Sequence, residues 1–219
     1  MRYQGVILDI DGTLVDSNGA HVQAWVEVLQ AHGFAVTPEE IWPLIGMGGD
    51  NLLPRVAGIE AESELGEKIS KERSDLFKEK FMPGLRPFPE VRALLSRMRE
   101  RGLRLVAASS SKADEVEKLL KIAEVEDLME ESTSASDTEH SKPDPDLIHS
   151  ALDRIGLPAE ELVMLGDTPY DIQAAAPAGV KVIAFRCGGF KDEDLKGALA
   201  IYDDAADLLA RYDSSPLAA

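Results

Sequence analysis

The sequence predicts an α/β fold, a doubly wound parallel sheet carrying a smaller inserted α-helical domain. Three observations carry this. From residue 84 onward, short apolar runs alternate with amphipathic stretches, the pattern of strand–helix repeats with helices on both sheet faces. Residues 17–83 are nearly all helix-patterned, with no convincing strand. The polar residues with chemical potential collect just past the ends of the apolar runs, where open α/β sheets bind ligands.

Val6–Leu8 reads as a buried first strand. Residues 18–32 follow as a helix, with Val22, Trp25, Val26 and Leu29 at i, i+3, i+4 and i+7 and Gly33 as its stop. Thr37-Pro38-Glu39-Glu40 is a helix start, with a capping residue, proline at the first position and a glutamate three residues on. Gly46-Met47-Gly48-Gly49-Asp50 breaks that helix. Helical pattern resumes over 50–57 and 61–81, and Pro83-Gly84 closes the block. Then come a helix to Arg101, a strand at Leu103–Ala108, a helix over 112–123 with Ser111 as its cap, and a short strand at Leu128–Glu131. Helix 145–156, strand Leu162–Leu165, helix 171–178, strand Val180–Phe185, a short strand at Leu199–Tyr202 and a helix over 204–212 complete the order. Ser214–Ala219 is expected to fray. The expected domains are an α/β core, 1–16 with 84–219, and a helical domain, 17–83.

Among 219 residues, 40 are acidic and 23 basic, a net charge of −17. A nucleic-acid binder carries a basic face, so that class is excluded as an expectation. The acidic surface also gives no general attraction for phosphorylated ligands, so an anion site must be built locally. One cysteine, Cys187, excludes an intrachain disulfide, and no long apolar run or cleavable leader is read, so a soluble cytoplasmic protein without membrane partners is expected. His32, His140, His149 and Cys187 read as structural, and Trp25 and Trp42 as core of the helical domain.

Asp9 and Asp11 follow the first strand, two residues apart. On extended backbone they point the same way, and Gly12 lets the chain turn there. Two converging carboxylates repel unless a proton or a cation lies between them, and a hard, oxygen-seeking ion such as Mg²⁺ suits them. Read alone, the pair is equally a polar turn. Further polar groups stand at the other strand ends: Ser109-Ser110-Ser111-Lys112, Ser141-Lys142-Pro143-Asp144 before a helix, and Gly166-Asp167-Thr168-Pro169-Tyr170-Asp171. Each has an ordinary structural reading as cap, turn or loop. Their coincidence at one sheet edge makes a joint structural accident improbable.

The string Asp9-Ile10-Asp11-Gly12-Thr13-Leu14-Val15-Asp16-Ser17 resembles the first motif of the haloacid dehalogenase (HAD) superfamily. Ser109, Lys142 and the Gly166–Asp171 segment resemble its other three motifs, in order. The helical insertion resembles a C1-type cap, as in phosphoglycolate phosphatases and β-phosphoglucomutases. The resemblance implies a HAD-like Rossmannoid core and a Mg²⁺-dependent phosphatase acting on a small phosphorylated metabolite, of phosphoglycolate or sugar-phosphate type, as a monomer or homodimer. It implies Asp9 as nucleophile, Asp11 as acid and base with Thr13 helping to position it, and Ser109, Ser110 and backbone N–H groups on phosphate oxygens. It further implies Lys142 as fixed cation, and Asp9, the Asp11 carbonyl and Asp167 on the metal. Asp171 would hold a metal-bound water or orient Lys142. Hinges would lie at Asp16-Ser17 and Pro83-Gly84. Thr13, Gly48 and Gly49 fall on the expected substrate side, and Arg55 is a guess for an anionic tail. His21 is read either as a group near the site or as a helix-surface residue.

Rival readings share these motifs. A β-phosphoglucomutase-like mutase would carry an arginine in the cap loop, where Gly49 stands. A dehalogenase needs no second aspartate, and Asp11 argues against it. A phosphonate hydrolase needs a lysine absent from residues 44–54. A non-catalytic phospho-ligand binder need not keep Asp9, Asp11, Lys142 and Asp167 together.

Overall fold

The first strand, β1 (Gly5–Leu8), is fully buried and lies at the centre of a six-stranded sheet in a computed structural model describing residues 3–218. The other strands are β2 (Arg104–Ala108), β3 (Glu131–Thr133), β4 (Leu162–Gly166), β5 (Lys181–Phe185) and β6 (Ala200–Tyr202). Their order is β3-β2-β1-β4-β5-β6 and every pairing is parallel. Leu8 pairs with Ala107 of β2 and Leu165 of β4, so these three strands end level with one another. The chain order reverses at β1, and the crevice beyond its end is where such sheets seat ligands.

Alternation along β1 sets the two faces. Val6 and Leu8 join the cluster under α5 (Val91–Glu100), α6 (Ala113–Ile122) and α9 (Ala205–Ala210), while Ile7 joins the cluster under α7 (Asp146–Ile155) and α8 (Pro169–Ala175). Helical packing on both faces leaves no solvated sheet surface, hence the continuous apolar strands.

The residues between β1 and α5 form α1 (Asn18–Ala31), α2 (Pro38–Ile41), α3 (Gly49–Ala57) and α4 (Glu64–Leu76). They build a third cluster around Trp25, Leu29, Ile41, Leu53 and Ile69, which Tyr170 of α8 joins. The Thr37 start is a capping box, with the Thr37 N–H donating to Glu40. α4 begins where the Ser63 hydroxyl accepts from the Gly66 N–H, and the helical run continues to residue 81 through a wider turn, Phe77–Phe81.

Three expectations are corrected. The short third strand is Glu131–Thr133, not Leu128–Glu131. Leu128 and Met129 pack on the core from a helical turn, and only at Glu131 does the chain come level with Val106 of β2. An apolar pair held by a turn mimicked a strand. The tail does not fray at Ser214: Tyr212–Ser214 is a helical turn, the Ser215 hydroxyl donates to the Tyr212 carbonyl, and Leu217 is buried against the core. Ala219 lies outside the described residues. Trp42 is only half-buried and also reaches the β5–β6 loop, where a Cβ on Gly189 would come within 2.4 Å of its ring.

No helix among the described residues is long and apolar enough to cross a membrane.

Candidate active site

β1 stops at Leu8, and the backbone then turns, with the Leu14 N–H donating to Ile10 and the Gly12 N–H to Val15. This turn separates the two aspartates. They do not aim at one point, as their spacing predicts for extended backbone. Asp9 faces Lys142 and Thr13, whereas Asp11 faces α1 and the loop after β2. Both still line one cavity of about 270 Å³.

Lys142, in the loop before α7, is 1% exposed. Its ammonium donates to Asp9 Oδ1 at 2.5 Å, Asp171 Oδ1 at 2.7 Å and the Ala108 carbonyl at 3.4 Å, which uses all three protons. Burial works against its charge, but Asp171 and Asp9 outweigh it and hold the ammonium well above its ordinary range. Asp171 is fixed in turn: its Oδ2 accepts from the Thr168 N–H at 2.9 Å, the Thr168 hydroxyl at 2.8 Å and the Asp167 N–H at 3.2 Å. Thr168 and Asp171 thus form the capping box of α8, and the helix start doubles as the support that aims Lys142.

Asp167 follows directly on β4 and is fully buried. The Thr13 hydroxyl lies 2.8 Å from Asp167 Oδ1 and 3.0 Å from Asp9 Oδ2, one proton between two carboxylates. Asn18 donates to Asp167 Oδ2 and to the Gly188 carbonyl, both at 2.9 Å. Burial, then Asp9 and Asp171, push the Asp167 carboxyl well up. Burial raises Asp9 too; Lys142 offsets part of this, and it stands at about 7. Gly12, at φ +78°, gives this pocket its wall, because a Cβ there would lie 2.2 Å from Asp167 Oδ2.

Asp11 is held differently. Its Oδ1 accepts from Ser17 at 2.6 Å and pairs with His21 Nε2 at 2.7 Å, and its Oδ2 accepts from Ser111 at 3.0 Å and Ser109 at 3.3 Å. Burial opposes the ionised form, but His21, Ser17 and Ser111 prevail and hold it well below the carboxylate range. His21 is therefore no helix-surface residue; it is buried and stacked on Phe77 with ring centroids 4.0 Å apart.

Asp9, Asp167 and Asp171 bring carboxylate oxygens within 4.8 Å of one another. Lys142 is the cation seated among them, which leaves buried negative charge in excess. Asn18 Oδ1 is also buried, without a hydrogen-bond partner among the described residues. An all-oxygen donor set with surplus charge fits a hard divalent cation. Asp171 has both oxygens taken, and Asp9 and Asp167 are the carboxylates left to serve it. The Asp11 side chain stands outside this group.

Other expected residues fall variously. Ser110 and Gly49 line the cavity. Thr13 does not: it is fully buried, with its hydroxyl between Asp9 and Asp167 rather than on Asp11. Gly48 does not either. It packs under the Lys142 loop, its N–H donating to the Lys142 carbonyl, and a Cβ on it would lie 2.1 Å from Ser141 Cβ. Ser111 is at the site instead of capping α6. Sequence reasoning missed Asn18, Arg73 and Glu115. Asn18 adjoins the first motif, but a lone asparagine at a helix start reads as a cap. Arg73 and Glu115 lie in charged amphipathic runs with no local mark.

The sequence model of the haloacid dehalogenase-like hydrolases matches residues 6–185. The chain belongs to that family. It is similar to a putative pyrophosphatase PpaX of Caldanaerobacter subterraneus, 28% identical over 90% of this chain and 87% of the relative. It is also similar to a phosphoglycolate phosphatase of Rhodospirillum rubrum, 28% identical over 94% and 89%. A solved hydrolase from Pseudomonas syringae shares 29% identity and superposes with a TM-score of 0.90, covering 96% of this chain and 98% of that one. The six-stranded parallel sheet flanked by helices is the fold this chain shares with that solved hydrolase.

Proposed function

We propose that the chain hydrolyses a small phosphate monoester through an aspartyl-phosphate on Asp9. One observation carries this reading: two aspartates line the same cavity with different partners, Asp9 held at 2.5 Å by the buried Lys142 ammonium and Asp11 held by Ser17, His21, Ser109 and Ser111.

Asp9 Oδ attacks phosphorus as the ester P–O bond breaks. Lys142 favours the ionised form of Asp9 against burial and aims it. Ser109, Ser110 and neighbouring N–H groups hold the non-bridging oxygens. Asp11 gives its proton to the departing alkoxide, then takes one from the water that cleaves the aspartyl-phosphate. A doubly charged phosphoryl group seated beside Asp11 raises its affinity for that proton. Asp9 and Asp167, with the Asp11 carbonyl, would hold Mg²⁺, which when bound supplies charge neutralisation at the phosphoryl group. The helical block closes over the cavity and excludes bulk water. Gly49, which lines the cavity where a mutase would carry its arginine, supports hydrolysis over mutase chemistry.

Phosphate release measured over a panel of small phosphate esters, with Mg²⁺ and with a chelator, tests this. Mg²⁺-dependent release from at least one short ester is expected. Release unaffected by chelation would remove the metal from the account, and release from none of the panel would remove the hydrolase reading.

A further inference from the structure

Asn18 opens α1 and is buried, yet its side chain makes no bond within that helix. An asparagine at a helix start ordinarily caps, its oxygen accepting a free backbone N–H. Here Oδ1 is buried and has no partner among the described residues. Both amide protons go elsewhere, to Asp167 Oδ2 and to the Gly188 carbonyl, each at 2.9 Å. The amide cannot turn over, because Oδ1 would then face those two oxygens. An unmatched buried acceptor costs stability. The fold bears that cost and keeps two donors in place.

The Asn18–Asp167 pair is closely boxed. A Cβ on Gly12 would lie 2.2 Å from both Asn18 Nδ2 and Asp167 Oδ2, and one on Gly188 would lie 1.7 Å from Asp167 Oδ2. Both segments must carry glycine for the backbone to come this near. Thr13 holds the other oxygen of Asp167. Both side-chain donors to Asp167 are thus neutral. Lys142 pairs with Asp9 and Asp171, and among the described residues no basic side chain pairs with Asp167. Asp167 is oriented on both oxygens while its charge stays uncancelled. That is what a metal-holding carboxylate needs from its neighbours.

Asn18 also joins two parts of the fold. It belongs to the helical residues that follow β1, whereas Asp167 and Gly188 follow β4 and β5 of the sheet. The Gly188 loop meets the helical block a second time at Gly189, against the Trp42 ring.

We propose that Asn18 is a positioning residue that aims Asp167 at the divalent cation and ties the cation's pocket to the start of the helical block, so that metal binding and the seating of α1 strengthen each other. The proposal rests on the reading above that Asp167 holds Mg²⁺. Such coupling is reciprocal: what α1 does for metal affinity, the metal does for α1.

Calorimetric titration of the metal-free chain with Mg²⁺ reads the affinity without turnover. Asn18→Ala is expected to weaken it by about ten- to hundredfold. Thr37→Ala is the control. It removes the side-chain half of the α2 capping box in the same helical block, so it should lower Tm and leave the Mg²⁺ affinity unchanged. Equal weakening in both variants would mean general loosening of the block and would overturn the proposal, as would wild-type affinity in Asn18→Ala. Amide hydrogen exchange tests the coupling, and its first arm needs no variant. Mg²⁺ should slow exchange in the first turns of the wild-type α1, and saturating Mg²⁺ should fail to do so in Asn18→Ala. No slowing in the wild type, or slowing that survives the substitution, overturns it. Excess Mg²⁺ should restore ester turnover in Asn18→Ala with KM for the ester near wild type, whereas a KM that stays high at every Mg²⁺ concentration would point to a distorted substrate pocket instead. Absence of any Mg²⁺ binding by the wild type would remove the metal from the reading above and this proposal with it. Mg²⁺ binding that Asn18→Ala leaves intact removes this proposal alone.

Discussion

Asp9→Asn is expected to lower phosphate release by roughly 10⁴-fold or more while the protein stays folded and still binds its ester. The amide is nearly isosteric and accepts from Lys142 through its oxygen, so the geometry of the floor survives. What is lost is the negative oxygen that attacks phosphorus. The substitution also removes one carboxylate from a pocket with surplus buried charge, so thermal stability without metal should hold or rise. Steady-state kinetics and thermal melts on the same sample check both halves. Activity within about tenfold of wild type would reject Asp9 as the attacking group.

Lys142→Met is expected to be the most damaging single change to the fold of the site. The ammonium is buried between Asp9 and Asp171, and its loss leaves these two facing each other with Asp167 beside them. Breaking a buried pair by removing one partner costs about 3–5 kcal/mol. For a chain of this size that corresponds to a fall in Tm of roughly 6–20 °C. The pH dependence has a definite sign. The folded Asp9 carboxyl, at about 7, lies above its ordinary value of 3.8, so its contribution favours folding at low pH and is lost as pH rises through that interval. Without Lys142 the folded value moves higher still, and the loss continues above neutrality. Melts of the metal-free variant at pH 6 and pH 8 should therefore differ from wild type more at pH 8. A larger gap at pH 6 would contradict this reading of the Asp9–Lys142 pair.

Much of this site was legible in the chain because its residues mark strand ends. Asp9, Ser109 and Asp167 each close a buried apolar run, and a parallel sheet brings such ends to one edge. Lys142 had weaker local support, but it stands just before a helix in the right interval. The details that escaped depend on tertiary partners. Thr13 lies in the first motif, yet only the approach of β4 shows that its hydroxyl serves Asp9 and Asp167. Ser111 has the composition of a cap, and only the Asp11 turn diverts it. Asn18 acts across 149 residues of sequence and Arg73 meets Glu115 across 42, distances over which periodicity carries no signal. The divergence of Asp9 and Asp11 was missed for a simpler reason. The strand that would align them stops at Leu8, and the chain turns between Ile10 and Val15.

The central claim is that a phosphoryl group passes through Asp9. Rapid acid quench during turnover, followed by mass spectrometry of the peptide containing residues 3–16, tests it most directly. The account predicts a transient phosphoryl adduct on Asp9, absent in Asp9→Asn and lost on alkaline treatment as an acyl phosphate should be. Turnover with no adduct under single-turnover conditions, together with inversion rather than net retention of configuration at a chiral phosphorus centre, would mean that water attacks phosphorus directly and that Asp9 is not the nucleophile.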